Sequence, residues 1–190
     1  MNPLIPFAIT ILVCLSTLPT LTAVVLDTNG ETVRNSGGSY YVVPYDGSGG
    51  LVLTKRVGSS PCPLYITRKP NSLGVPVRIS SPLRILDILE STRVSIAFVT
   101  NVTTCGGLDW RVTTGGQSYV NTADDFNYSF AIEVDGKKKN TYKIRTFCTS
   151  LEENCGDLGI IKENGLLGVT NDKPLIVQFK KASDPGKSMM

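Results

Sequence analysis

The sequence contains no histidine. That single absence removes Ser-His-Asp and Cys-His nucleophilic arrangements, and with them His-containing zinc and haem sites. Charge is also sparse, at 18% of residues, with a net charge of +3. Lys and Arg are scattered rather than massed, which gives no electrostatic footprint for nucleic acid. The chain is too apolar for a disordered polyelectrolyte. No segment carries a long helical period, and no linker divides the sequence. The letters show no clear internal repeat. Carboxylate-only catalysis survives these exclusions, but Asp124-Asp125 and Glu152-Glu153 lack the pattern of metal ligands or an acid-base pair. No cofactor and no metal is expected.

What is present begins with an apolar run without charge, LIPFAITILVCLSTLPTLTA at residues 4–23. Ala23 is a small residue suited to the last position before cleavage, so residues 1–23 are expected to be a signal peptide and 24–190 one mature domain. An uncleaved membrane anchor is the alternative, since about 20 apolar residues span a bilayer. Pro19 and the neighbouring Thr and Ser residues favour cleavage. Of five cysteines, Cys14 lies in the leader, which leaves Cys62, Cys105, Cys148 and Cys155. An even count in a secreted chain points to two disulfides, of three possible connectivities. Two sequons, at Asn101 and Asn127, are possible glycosylation sites. The expected localisation is secretory, extracellular or vacuolar, as a monomer with no membrane contact after cleavage.

The mature part reads as short strands rich in Val, Ile, Thr, Tyr and Phe, at 40–43, 51–57, 64–68, 75–79, 93–99, 110–113, 128–134, 141–147, 158–162 and 175–179. In YSFAIEV, Tyr128, Phe130, Ile132 and Val134 fall on one face. Turn clusters such as Asp46-Gly47-Ser48-Gly49-Gly50 and Asp135-Gly136 separate them. Short strands with regular turns predict an all-β barrel or sandwich. The GSGG at 47–50 lacks the ending and helix of a phosphate loop and reads as a hairpin turn. Lys137-Lys138-Lys139 comes just after a turn and reads as a solvated basic face.

The segment Ser80-Ser81-Pro82-Leu83-Arg84-Ile85-Leu86-Asp87 admits two readings. Ser81 as a cap, Pro82 at the first helical position and leucines at 83, 86 and 89 fit a short amphipathic helix. The other reading is an exposed loop.

VVLDTNGETVRN at 24–35, GGSYYVVP at 37–44, CPLYI at 62–66, SSPLRI at 80–85, YKIRTFC at 142–148, CGDLGI at 155–160 and NDKPLIVQF at 171–179 together resemble the plant Kunitz inhibitors of the soybean trypsin inhibitor type. The resemblance spans 24–181 and implies an all-β fold, a β-trefoil of about twelve strands with pseudo-threefold symmetry. It implies the pairings Cys62–Cys105 and Cys148–Cys155. It turns 80–87 into a protease-binding loop, with Arg84 at the primary specificity position, Arg84-Ile85 as the reactive bond, and Ser81, Pro82, Leu83, Leu86 and Asp87 flanking it. Asn35 falls where the family places a loop-bracing asparagine, although Ser36 stands as an extra residue before the glycines. The implied activity is inhibition of a trypsin-like serine protease, not enzymatic catalysis. The alternatives are a storage or defence-related binding protein on the same scaffold, or an inhibitor of another target such as subtilisin or an amylase.

Overall fold

Alternating side chains set the strands. In Tyr40–Pro44 (β1), Tyr40 and Val42 point inward, and in Tyr142–Thr146 (β9), Tyr142 and Ile144 do the same. The structure, a computed structural model, describes residues 23–101, 105–113, 115–148 and 155–183. Among them are twelve strands and no helix. The others are Gly50–Thr54 (β2), Tyr65–Lys69 (β3), Val77–Ser80 (β4), Arg93–Phe98 (β5), Asp109–Val112 (β6), Val120–Ala123 (β7), Phe130–Val134 (β8), Asp157–Ile160 (β10), Leu167–Thr170 (β11) and Ile176–Lys181 (β12). The leader expected at 1–23 lies outside the described residues but for Ala23, and no described helix is long and apolar enough to cross a membrane.

The pairings reveal a threefold plan that the letters conceal. Strands β1, β4, β5, β8, β9 and β12 close into a six-stranded barrel, each antiparallel to the next, with β12 returning to β1. The remaining strands form three hairpins, β2 with β3, β6 with β7, and β10 with β11. Each run of four strands therefore contributes two barrel strands and one hairpin. The hairpins meet one another through Tyr65↔Asn121, Thr67↔Leu166 and Tyr119↔Gly168. This is a β-trefoil. Closure leaves the barrel without an open edge.

One core fills the barrel. Val42, Ile66, Val77, Ile79, Val94, Ile96, Phe130, Ile132 and Phe179 are all at most 1% exposed. Trp110 packs between Phe98 and Phe130, with ring centroids 5.6 and 6.1 Å apart. A smaller cluster, Tyr65, Tyr119, Ile161 and Leu166, seals the junction of the hairpins. Cys62 and Cys105 are joined with Cα atoms 5.5 Å apart, as are Cys148 and Cys155 at 5.7 Å.

Four details depart from the sequence reading. Strands β7 and β11 were not expected. Gly168 weakens β11 on propensity, yet a Cβ there would come within 2.6 Å of the Ser118 carbonyl where two hairpins touch. Strand β2 stops at Thr54 instead of continuing to Val57, which is 99% exposed. Tyr128 precedes β8, and Val134 at its far end is half exposed while Phe130 and Ile132 are fully buried. The helix that residues 81–89 could have formed is absent, and the segment runs as an irregular loop.

Candidate functional site

The loop between β4 and β5 is carried by two different supports. Its incoming limb is the end of β4, registered on β5 as far as Ser80↔Ser95. Its outgoing limb lies against the N-terminal segment. The Leu86 carbonyl accepts from the Asn35 N–H at 2.8 Å, the Ile88 N–H donates to Val33, and the Val25 N–H donates to Ile88. Val25, Val33 and Ile88 are completely buried, so this small ladder is anchored in the core. Asp27 secures the turn between residues 25 and 33. Its buried carboxylate accepts from the Asn29 and Glu31 N–H groups at 2.8 and 2.9 Å.

Between these supports the chain stands out. Pro82, Leu83, Arg84, Ile85 and Leu86 are consecutive and exposed, with Leu86 at 75%. Three exposed apolar side chains in one short segment are unusual without a partner. Among the described residues nothing holds the Arg84 guanidinium. Ser81, by contrast, is buried, and its hydroxyl accepts from the Leu83 N–H at 3.3 Å.

Asn35 is the centre of the arrangement. Its amide nitrogen donates toward the carbonyls of Ser81 (3.3 Å), Leu83 (3.0 Å) and Ile85 (3.0 Å). Its amide oxygen accepts from the Ser81 N–H at 2.8 Å. A carboxamide has two N–H groups, so one of the three donor contacts is shared. The side chain thus grips the loop on both sides of Arg84. The grip also explains the missing helix, because it takes the carbonyls of Ser81, Leu83 and Ile85 away from any helical ladder.

Two further attachments were not foreseen. Ser36, read from the sequence as an extra residue, takes a left-handed conformation (φ 56°) directly after Asn35. Its N–H donates to Ile79 at 2.9 Å, and its hydroxyl bonds that of Ser80 at 2.9 Å. Asp87 turns back onto the scaffold, where Thr32 Oγ1 donates to its Oδ1 at 2.9 Å and Arg34 meets the same oxygen at 3.1 Å. The only signal in the letters was the alternation of Thr32 and Arg34 with buried Val33, which puts both on one face opposite the loop.

The other sequence candidates lie elsewhere. The Cys62–Cys105 bridge spans 43 positions and encloses Arg84 in sequence. Asn101 is exposed, but the rest of its sequon lies outside the described residues. Asn127 is half-buried and accepts a hydrogen bond from the Ser129 hydroxyl. Lys137, Lys138 and Lys139 form an exposed turn. Among the described residues no three His, Cys, Asp or Glu side chains cluster as metal ligands.

A family model described as trypsin and protease inhibitor, of the legume Kunitz type, matches residues 25–181. The chain belongs to this family. A trypsin inhibitor of Bauhinia variegata is 37% identical over 167 residues, covering 83% of this chain and 95% of that protein. The structure of trypsin inhibitor 1 from Senna obtusifolia superposes with a TM-score of 0.73 at 26% identity, covering 87% of this chain and 93% of that one. The soybean trypsin inhibitor in complex with porcine pancreatic trypsin superposes with a TM-score of 0.70 at 28% identity, covering 85% and 100%. As a legume Kunitz protein the chain is a protease inhibitor and not an enzyme. Both disulfide pairings and the trefoil implied by the motifs are present.

Proposed function

We propose that this Kunitz protein inhibits trypsin-like serine proteases by offering residues 80–87 as a rigid imitation of a substrate, with Arg84-Ile85 as the reactive bond. The observation that carries the reading is the Asn35 side chain, bonded to Ser81 and Leu83 before Arg84 and to Ile85 after it. An extended loop enters a protease cleft and pairs its backbone with the enzyme. Arg84 is exposed and held by no other described residue, ready to fill a pocket with an Asp at its base. A guanidinium meets such a carboxylate with two parallel hydrogen bonds. Because the loop is already ordered, little conformational freedom is lost on association. If the bond is cut, the same attachments keep the new ends together, and the complex persists as a reversible noncovalent trap. The contact area is of standard size, about 1,600 Å² in total.

The same reading assigns the protein to the secretory pathway, with residues 1–23 removed and the mature chain starting at or near Val24. Two disulfides fit an oxidising compartment. Intact mass and thiol titration of protein isolated from its source test this; a membrane-bound form retaining Cys14 would contradict it. Titrating trypsin, chymotrypsin and subtilisin with the purified mature protein tests the inhibitory reading. Stoichiometric loss of trypsin activity is the expected result. Absence of trypsin inhibition alongside strong inhibition of subtilisin would assign a different target.

A further inference from the structure

The downstream limb of the loop is held by a second brace that the asparagine does not supply. We infer that Asp87, clamped by Thr32 and Arg34, is a positioning residue that keeps the Ile85 side of the reactive bond in register. This rests on Arg84-Ile85 being the reactive bond. After cleavage the upstream end stays joined to β4 through Ser80, which is fixed on β5 and by Ser36. The downstream end is a new amino terminus at Ile85, held only through its own backbone and the residues C-terminal to it. The Ile85 carbonyl is bonded to Asn35, the Leu86 carbonyl is bonded to the Asn35 N–H, and the Asp87 carboxylate is bonded to Thr32 and Arg34. Asp87 is the first residue after the bond whose side chain is tied to the scaffold. The clamp sits two positions from the point where the chain would have to rejoin.

The clamp has a second effect. A carboxylate three residues beyond a reactive bond would ordinarily be free to meet the protease. Here its Oδ1 faces Thr32 and Arg34, and 30% of the side chain remains exposed. Leu86, at 75% exposure, becomes the side chain presented downstream of Ile85. The loop is thus basic at Arg84 and apolar on both sides, at Leu83, Ile85 and Leu86.

As an exposed ion pair, Arg34–Asp87 contributes little to global stability. Its role is local, and this separates positioning from folding. The test measures three quantities for the mature protein and its variants: the equilibrium ratio of cleaved to intact Arg84-Ile85 bond under catalytic trypsin, the dissociation rate of the trypsin complex, and the thermal midpoint. Asp87→Ala is expected to raise the cleaved-to-intact ratio and the dissociation rate each by ~10-fold, the loss of roughly one charge-assisted bond. The thermal midpoint should stay near that of the parent. Asp87→Asn keeps an oxygen for Thr32 and Arg34 and should retain most of the parent's behaviour. Arg34→Ala should do nothing further once Asp87 is Ala, because the two act through each other. A cleaved-to-intact ratio unchanged by Asp87→Ala, with trypsin binding strongly weakened by Arg84→Ala, overturns the clamp alone. Tighter trypsin binding by Asp87→Ala also overturns it, by showing that the carboxylate reaches the cleft. If Arg84→Ala leaves inhibition intact, the reactive bond lies elsewhere and the proposed function fails with the clamp.

Discussion

Asn35→Ala should convert this inhibitor toward a substrate. The replacement removes the amide that links Ser81, Leu83 and Ile85. It leaves Arg84 itself untouched. Two full donor bonds and one accepted bond disappear. The Leu83 and Ile85 carbonyls are accessible to water and the Ser81 backbone is buried, so each lost bond is worth ~1 kcal/mol or somewhat more, giving roughly 3 kcal/mol of lost loop ordering. That corresponds to ~100-fold weaker trypsin binding. The backbone attachments of residue 35 do not depend on its side chain, so Leu86 stays tethered to it. The fold should therefore survive, with the loss confined to the loop.

The distinctive consequence is kinetic. A looser loop loses more ordering entropy on binding, and its cut ends drift from the geometry that rejoins them. Incubation with catalytic trypsin, sampled over time by reducing electrophoresis, should show the variant cut at Arg84-Ile85 well before the parent. Asn35→Asp sharpens the test. It preserves the oxygen that accepts from Ser81 but replaces the donors with an anion facing three carbonyls, so it should be cut at least as fast as the Ala variant. A variant that resists cleavage and inhibits like the parent would reduce Asn35 to a turn residue and refute the reasoning.

Arg84→Ala should weaken trypsin binding by ~4–7 kcal/mol, the range of the strongest interface anchors; Arg84→Leu should move preference to proteases with apolar pockets, and inhibition constants against trypsin and chymotrypsin measure both. Replacing Cys62 and Cys105 by Ser should cost roughly 4 kcal/mol of stability in the chain-entropy account, read from denaturant unfolding. After cleavage at Arg84-Ile85, the parent should run as one band on nonreducing denaturing gels and that variant as two, because the bridge joins the two sides of the bond. Burial raises the Asp109 carboxyl above its ordinary value, with Asp124 and Asp125 adding to the shift. Its charged form is disfavoured in the fold, so the penalty is present above the folded pKa and is relieved as pH falls through it. Asp109→Asn should raise the thermal midpoint at neutral pH and lose that advantage in acid.

Ten of the twelve strands were legible because they carry β-branched and aromatic runs that alternate. The two that were not, VNTA in β7 and LGVT in β11, are short and are held by neighbours distant in sequence. Val120 and Thr122 turn inward only because β6 and the other hairpins cover them. Gly168 is tolerated because the Ser118 backbone occupies the space a side chain would fill. No local propensity encodes such a contact. The threefold plan was hidden for a related reason. It resides in which strands pair, and the barrel accepts Val, Ile, Tyr or Phe at equivalent positions, so the letters need not repeat.

The loop shows the same limit from the other side. Its local signals, a Ser, a Pro and three leucines at helical spacing, are those of a helix start. A single residue 46 positions earlier decides otherwise, by bonding the Ser81 N–H and carbonyl together with two later carbonyls. Motif resemblance pointed to Arg84 and Asn35, but it gave Asp87 only as a flanking residue and Ser36 only as an extra one. Both now have a place in the same construction. Ser36 fastens the upstream limb at Ser80, and Asp87 fastens the downstream limb through Thr32 and Arg34. Residues 32–36 therefore touch the loop before, around and after Arg84, and they do so from a segment tied to Ile88 and the core. A change that loosens the Asp27 turn should therefore be felt first in how the loop is held, whereas one that cuts back the buried Val33 should be felt there and in the stability of the core together.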